Sequence, residues 1–245
     1  MQKYEKQFEI TSDECNEYGK LRLRSLFNLF QAMADNHAHL LGVGYQYCIQ
    51  NGLGWIGGGY AVEIDKLPTW GDVVLLKTWP AKTTAVTAIR EFEMINVQTG
   101  EVLVRASSQW VLIDTMKKRP ISVVKHLEGF ELITDRAVDT SFPKLPELDR
   151  VDIEFSQIIR TDDIDLNHHV NNAVYPTWIL DALPENYLSN NRIVKLQIQY
   201  KNPAQKGDNI LVQTQMKDDN NTLHIISNLE KSTEFARVVV DWKKR

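Results

Sequence analysis

The sequence predicts an α+β fold in which one structural unit, a helix packed on an antiparallel sheet, occurs twice. Three observations lead to this prediction: a repeated turn-and-strand segment, a series of alternating strands after each copy, and an amphipathic helix ahead of each series. The chain has 245 residues, of which 43% are hydrophobic and 24% charged, so its composition is that of a globular protein long enough to bury a substantial core.

The repeated segment is a strand-like run followed by a Gly-Asp turn that leads into an apolar strand. It occurs at residues 60–78 and again at residues 193–214. Each copy continues as alternating and β-branched runs separated by Gly, Asn and Asp turns. These runs predict strands at residues 86–97, 102–114, 210–217, 222–229 and 235–242. Two Gly-Asp turns could coincide by chance, but their matched order and spacing favour a duplication.

One helix is predicted ahead of each series of strands. Residues 22–41 place apolar side chains and His37 on one face. Residues 172–183 also form an apolar face, and Pro184 then stops the helix. One long helix packed on an antiparallel sheet is the hot-dog arrangement, so the sequence predicts a tandem, or double, hot-dog.

The predicted boundaries follow from this duplication. Residues 1–126 form the N-terminal hot-dog and residues 151–245 the C-terminal one. Residues 127–150, which contain Pro143 and Pro146, are predicted to be the linker.

Composition excludes several classes of protein. The net charge of −4 argues against broad nucleic-acid binding, which needs a basic excess. Residues 1–14 have no apolar core behind their charges and are too acidic and strand-like for a transit peptide. No apolar run approaches the length of a membrane span, and Cys15 and Cys48 imply neither a disulfide framework nor a metal site. We therefore expect a bacterial protein of the reducing cytoplasm.

Polar residues concentrate at residues 160–178, RTDDIDLNHHVNNAVYPTW, between a strand predicted at 153–159 and the second helix. Asp165, Asn167 and His169 alternate by two, and we call them the alternating set. In an extended stretch such residues point to one side, so we expect them to face one small pocket. The N-terminus of the following helix could also stabilise negative charge on a reacting oxygen.

Simpler interpretations exist for parts of this segment. Asp and Asn favour turns and helix caps, so Asn171 and Asn172 could be caps and nothing more. The alternating set contains more polar groups than one cap requires. His168 beside His169 could indicate a metal site, but no second His cluster with ligand spacing occurs, so we expect no metal or other cofactor.

The equivalent stretch of the first half is residues 13–21. Counting from Asp13 and Asp163 places Gly19 at the position of His169. The first copy therefore lacks the histidine, and we expect one copy to be catalytic and the other structural or substrate-binding.

Residues 163–172, DIDLNHHVNN, with Tyr175 and Trp178 downstream, resemble the signature of plant and bacterial acyl-ACP thioesterases, approximately D-x-D-x-N-x-H-V-N-N-x-x-Y. The first-half segments GKLRLRSLFNLFQ and LPTWGDVVLLKTW are similar to the N-terminal portion of that family, so the resemblance covers nearly the whole chain. It implies a double hot-dog hydrolase that cleaves fatty acyl-ACP to free fatty acid and carrier protein, which ends or diverts fatty acid synthesis.

The resemblance implies that Asp165, Asn167 and His169 are the catalytic residues. His169 would act as the base, Asp165 would orient it or hold the water, and Asn167 would bind the water or donate to the thioester oxygen. The family usually has Glu and then Cys or Ala after the strand predicted to end at Tyr200, whereas this chain has Pro203 and Ala204. This departure excludes a cysteine nucleophile there and leaves Gln205 as a candidate substrate-binding residue, which would orient a water.

The resemblance also implies an acyl tunnel between the helix and sheet of the first half. Leu26, Phe30 and Trp55 are candidates for its wall, although each could be ordinary core. The acidic carrier protein would dock on a basic surface, for which residues 117–119 and 243–245 are candidates, although such runs are usually solvated surface. A monomer suffices, and a dimer is possible. The alternatives are an acyl-CoA thioesterase, a hydratase or dehydratase on the same fold, and a non-catalytic acyl-binding protein.

Overall fold

The computed structural model describes residues 3–126 and 132–245, and it divides the chain into two compact units, Met1–Phe142 (unit 1) and Pro143–Arg245 (unit 2). The division falls inside the predicted linker 127–150, of which residues 127–131 lie outside the described residues. The rest of that stretch is shared between the units.

Unit 1 is an antiparallel sheet that carries one long helix. Its elements are β1 (Tyr4–Glu9), α1 (Leu23–Leu40), α2 (Tyr45–Gln50), β2 (Leu53–Ile64), β3 (Val73–Thr83), β4 (Thr87–Asn96), β5 (Val102–Asp114), β6 (Arg119–Pro120) and α3 (Val123–His126). Neighbouring strands follow the order β1-β3-β4-β5-β2, and β6 pairs with β5.

Unit 2 repeats this plan. Its elements are β7 (Ile153–Ile158), α4 (Tyr175–Ala182), α5 (Glu185–Asn190), β8 (Asn191–Tyr200), β9 (Asn209–Asp218), β10 (Asn221–Asn228) and β11 (Glu234–Lys244). Neighbouring strands follow the order β7-β9-β10-β11-β8, which is the unit 1 order with each strand replaced by its counterpart. The predicted tandem hot-dog is therefore confirmed.

The two main helices differ in length. α1 has 18 residues and matches its predicted limits to within one residue at each end. α4 has only 8, so the prediction of a long helix in each half is wrong for unit 2. The Asn171 side chain accepts a hydrogen bond from the Ala173 N–H (2.9 Å), which forms a turn before the helix begins. Leu183 is extended because the following Pro184 disfavours helical geometry, and α4 ends there.

Each helix packs an apolar face into the core of its own unit. In unit 1, Phe30 of α1 contacts Phe92 of β4, with 4.8 Å between ring centroids. In unit 2, Tyr175 of α4 contacts Tyr200 of β8 at 5.4 Å. Burial of apolar side chains, these rings among them, is the main favourable contribution to the stability of each unit. None of the helices in the described residues is both long enough and apolar enough to cross a membrane.

A buried carboxylate ties part of the predicted linker to unit 1. Glu91 of β4 is fully buried, and its side chain accepts hydrogen bonds from Arg136 Nε (2.6 Å) and Ser107 Oγ (2.8 Å). The N–H of Ala137 donates to the same carboxylate at 2.9 Å and that of Val138 at 3.4 Å. A buried charge needs such partners, so residues 136–138 are part of unit 1 rather than a free connection.

Candidate active site

The alternating set lies on a tight turn that precedes α4. Ile164 and Val170 pair as an isolated bridge. Between them, the Asp165 N–H donates to His169 O (2.8 Å) and the His168 N–H donates to Asp165 O (3.1 Å). The chain therefore reverses direction here, and the prediction of an extended stretch is wrong.

The Asp165 carboxylate holds this turn together. Its Oδ1 accepts hydrogen bonds from the N–H groups of Asn167 (2.8 Å) and His169 (3.4 Å), and its Oδ2 lies 3.5 Å from Asn167 Nδ2. Asp commonly organises a turn in this way. The structure thus brings the three residues together through hydrogen bonds to one carboxylate rather than through side-chain alternation.

The turn presents its functional groups at the surface of unit 2. Asn167 is exposed, and Asp165 and His169 are half-buried. His168 is exposed and has a left-handed backbone with φ of 60°, a conformation in which Asn, Asp and His are the common non-glycine residues. Leu166 is 88% exposed. Asn167 is therefore accessible to a substrate, and His169 is partly accessible.

The loop after β8 packs against the turn. The Val170 N–H donates to Ala204 O (2.9 Å), and His169 pairs with Gln205 as an isolated bridge. Gln205, a predicted substrate-binding residue, is thus a backbone neighbour of His169, and its side chain is exposed. The hydroxyl of Tyr175 accepts a hydrogen bond from the Ala204 N–H (3.2 Å), and burial raises the pKa of Tyr175 to about 12, so the phenol stays protonated.

Unit 1 contains the same turn with different side chains. The Asn16 N–H donates to Lys20 O (2.8 Å), and the Gly19 N–H donates to Asn16 O (2.9 Å). Asn16 Oδ1 accepts from the N–H groups of Tyr18 (3.1 Å) and Lys20 (3.0 Å). Gly19 has a φ of 67°, close to that of His168.

These hydrogen bonds correct the predicted alignment of the two halves by one residue. Lys20, not Gly19, stands at the position of His169, and Gly19 stands at that of His168. The error arose because the true counterpart of Asp163 is Glu14. Both carboxylates accept a hydrogen bond from the backbone N–H three residues earlier. The prediction that the first copy lacks the histidine is unaffected.

Unit 1 contains a cavity of about 80 Å³ between α1 and the sheet. Its wall includes Trp55, one of the candidates for the tunnel wall, together with Ala34 and Ala38 of α1. Leu26 and Phe30 are fully buried and are not part of the described lining, so the structure places these two candidates in the packed core. They lie on the first half of α1, whereas the helix reaches the cavity through its second half.

The two cysteines and the potential metal ligands are the other candidates for reactive groups. Cys15 and Cys48 are free and buried. Burial raises the pKa of each thiol, which disfavours the reactive thiolate. Within residues 3–126 and 132–245, no group of three or more His, Cys, Asp or Glu side chains is arranged to hold a metal ion.

Comparison with known proteins gives consistent matches along both units. Residues 1–128 match the family model of the acyl-ACP thioesterase N-terminal domain, and residues 147–244 match that of the C-terminal domain. The chloroplastic palmitoyl-acyl carrier protein thioesterase of Gossypium hirsutum is 30% identical over 99% of this chain, which spans 64% of that protein's length.

Two solved structures show the same fold. The 12:0-ACP thioesterase from Umbellularia californica has a TM-score of 0.88 and 23% identity, covering 99% of this chain and 98% of that one. An acyl-ACP thioesterase from Bacteroides thetaiotaomicron has a TM-score of 0.88 and 22% identity, covering 98% of both chains. At this level of identity the likeness concerns the fold.

Proposed function

Because this chain belongs to the acyl-ACP thioesterase family, we propose that it hydrolyses the thioester between a fatty acyl chain and acyl carrier protein. The products are the free fatty acid and the thiol of the carrier. The observation that carries the proposal is the turn in which one carboxylate, that of Asp165, holds both Asn167 and His169.

The chemistry assigns one task to each member of the turn. His169 takes a proton from a water, because histidine exchanges protons near neutral pH, and the resulting hydroxide attacks the thioester carbon. The Asn167 amide donates a hydrogen bond to the oxygen that becomes negative in the tetrahedral intermediate. The carbon–sulfur bond then breaks, and His169 returns the proton to the departing thiolate. Asp165 positions the other two residues.

The two units have different roles under this proposal. Unit 2 carries the turn with the imidazole, whereas unit 1 has Lys20 at the matching position and instead contains the cavity. We assign catalysis to unit 2 and acyl binding to unit 1. The basic runs at residues 117–119 and 243–245 are exposed and stay candidates for docking the acidic carrier. A cytoplasmic location belongs to the same proposal, and so does an oligomeric state for which a monomer suffices and a dimer is possible.

The test is release of free thiol and fatty acid from a panel of acyl-ACPs by the purified protein. His169→Ala should lower the rate by about 10²–10⁴-fold, the usual contribution of a general base. His168→Asn is the matched control, because Asn also tolerates the left-handed backbone, and it should retain the wild-type rate.

Parallel assays distinguish the alternatives. Faster hydrolysis of matched acyl-CoA would identify an acyl-CoA thioesterase. Binding of acyl chains without release of thiol would identify a binding protein. A change in the number of double bonds in the acyl chain, again without release of thiol, would identify a hydratase or dehydratase. An unaltered rate in His169→Ala would show that the imidazole is not the base.

A further inference from the structure

The cavity of unit 1 contains a cation that an unsubstituted acyl chain would not use. The side chain of Arg90, on β4, forms part of the cavity wall. Its Nη1 donates to Thr78 Oγ1 (3.2 Å) and to His37 Nδ1 (3.1 Å). Arginine can only donate, so His37 Nδ1 is the acceptor and the imidazole is neutral. Burial and the charge of Arg90 lower the pKa of His37 to about 4, in agreement with that state.

Donors remain available at this end of the cavity. Burial lowers the pKa of Arg90 to about 10, so the guanidinium still carries its charge at neutral pH. In the part of the chain that the structure describes, its Nε and Nη2 atoms make no hydrogen bond. Tyr60, in the same row of the sheet but outside the cavity wall, is 1% exposed, and its hydroxyl has no partner among those residues. Arg90 is half-buried, so a ligand that covers it displaces water from the Nε and Nη2 donors, and an acceptor on that ligand would restore their hydrogen bonds.

An acceptor of opposite charge lines the same cavity. Asp35 of α1 is part of the wall, and its carboxylate lies beyond ion-pair distance of Arg90 in the described residues. The otherwise apolar wall therefore offers hydrogen-bond donors from Arg90 and an acceptor from Asp35.

The fold itself does not require these polar groups. In unit 1, the paired residues across four strands are Pro80, Arg90, Ser108 and Tyr60. Pro80 of β3 and Met216 of β9 lie the same number of residues after Gly71 and Gly207, the glycines of the Gly-Asp turns that precede these strands. The corresponding row of unit 2 is Met216, Thr222, Val240 and Leu196. Unit 2 thus completes the same sheet without a charge in this row.

The part of α1 that reaches the cavity is also specific to unit 1. Counted from the matching turns, Pro184 stands where α1 has Asp35, and α4 has already ended at Ala182. Asp35 and His37 therefore lie on helical turns that unit 2 lacks. Both polar walls of the cavity are additions to the repeated fold.

We propose that the cavity of unit 1 receives an acyl chain that carries a hydroxyl group, with Arg90 as a specificity-determining residue. A hydroxyl accepts a hydrogen bond from Arg90 and donates one to Asp35, so it satisfies both walls. A carboxylate would be repelled by Asp35, and an unsubstituted chain would displace water from the guanidinium without replacing the hydrogen bonds of Nε and Nη2. This inference rests on the proposed thioesterase activity and specifies its substrate class.

The test compares hydrolysis of hexadecanoyl-ACP with that of monohydroxylated hexadecanoyl-ACPs, with the hydroxyl in the middle of the chain or at its methyl end. One charge-assisted hydrogen bond predicts a kcat/KM about 10- to 100-fold higher for the best hydroxylated substrate. In Arg90→Met, which keeps the bulk but removes the donors, that ratio should fall to about one. Arg105→Met is the control, because Arg105 pairs with the exposed Asp65 on the surface, and it should preserve the wild-type ratio.

The outcomes separate this inference from the proposed function. If no acyl-ACP releases thiol, the proposed function fails. If hexadecanoyl-ACP is hydrolysed and no hydroxylated chain is preferred, or if Arg90→Met keeps the preference, the inference on Arg90 is overturned. Should Arg90→Met not fold, Asp35→Asn provides the second variant, because Asp35 is exposed, and it should reduce the preference while the protein remains folded.

Discussion

The turns at residues 16–20 and 165–169 have the same backbone hydrogen bonds and different side chains. In each, an Asx side chain accepts from the N–H groups two and four residues later, and the fourth residue has a left-handed backbone. Unit 1 places Lys20 at the last position, and unit 2 places His169 there. The backbone of the turn is therefore independent of the side chain at its last position, and each unit can serve as a control for the other.

This comparison separates what holds the turn from what reacts. Asn16 holds its turn without a charge, so the charge of Asp165 is not required for the backbone geometry. Gly19 adopts the left-handed backbone without strain, whereas His168 must tolerate it. The side chain at each of these positions can be replaced by that of the other unit, and the effect on activity and stability can be measured.

The largest effect should come from His169→Lys, which introduces the side chain that unit 1 has at this position. We expect kcat on acyl-ACP to fall by about 10²–10⁴-fold, because an ammonium cannot accept the proton of the water. The midpoint of thermal unfolding should stay near the wild-type value, since Lys20 fits the same turn. A wild-type rate in this variant would refute the assignment of His169 as the base.

The next effect concerns the carboxylate. Asp165→Asn should keep the turn, as Asn16 does, and reduce kcat by a smaller factor than His169→Lys, because it removes only the negative charge of the turn and leaves His169 in place. Asp165→Ala should lower the rate and also the free energy of unfolding by about 1–2 kcal/mol, because the N–H groups of Asn167 and His169 lose their acceptor. Equal stability of the Ala and Asn variants in urea unfolding would contradict the role of Asp165 in the turn.

A third comparison uses His224 of β10, which stands where unit 1 has Phe92. Both ring nitrogens of His224 lie 2.8 Å from threonine hydroxyls, and burial lowers its pKa to about 3. In the unfolded chain this histidine binds a proton as the pH falls below about 6.5, whereas in the folded chain it stays neutral until about pH 3. The contribution of neutral His224 to the free energy of unfolding is therefore fully present above about pH 6.5 and is lost as the pH falls toward about 3. His37, with a pKa of about 4, acts in the same direction.

His224→Phe should therefore flatten the pH dependence of the free energy of unfolding over this acidic range. The change introduces the residue of unit 1 and removes the titrating group. Urea unfolding at a series of pH values measures it. A slope equal to that of the wild type would show that His224 does not remain neutral in the folded state.

The smallest effect should come from His168→Gly, the residue of unit 1 at this position. Glycine adopts a positive φ freely but is also more flexible in the unfolded chain, so we expect a change in stability within about 1 kcal/mol and an unchanged kcat. Gly19→His is the reciprocal variant and should also fold. A large loss of activity in His168→Gly would place His168 in the catalytic machinery.

Much of the fold follows from the sequence because strands and turns are local signals. The strand predicted at residues 102–114 coincides with β5, and the order of elements in both units agrees with the prediction. The start of β2 at Leu53 was missed, because glycines interrupt the alternation there and pairing with β5 defines that strand. The short helices α2 and α5 were missed because they give no periodic pattern.

The site was predicted as a set of residues but not as a geometry. Spacing by two indicated an extended strand, whereas the Asx turn depends on where one carboxylate points. The cavity was harder still. Leu26 and Phe30 have the spacing expected of a binding face, but only the pairing of β4 with its neighbours shows that Arg90 reaches the cavity. Long-range pairing of this kind is not encoded in a local pattern.

The buried Glu91 determines where the chain can be cut into separately produced halves. Arg136 also donates to Thr140 O (3.1 Å), while Pro143 O accepts a hydrogen bond from Gln199 of unit 2 (2.6 Å). A break between Thr140 and Pro143 leaves both sets of bonds intact. A break after residue 126, the predicted end of the N-terminal hot-dog, would remove Arg136 from the fully buried carboxylate of Glu91. The N-terminal fragment should then unfold or aggregate.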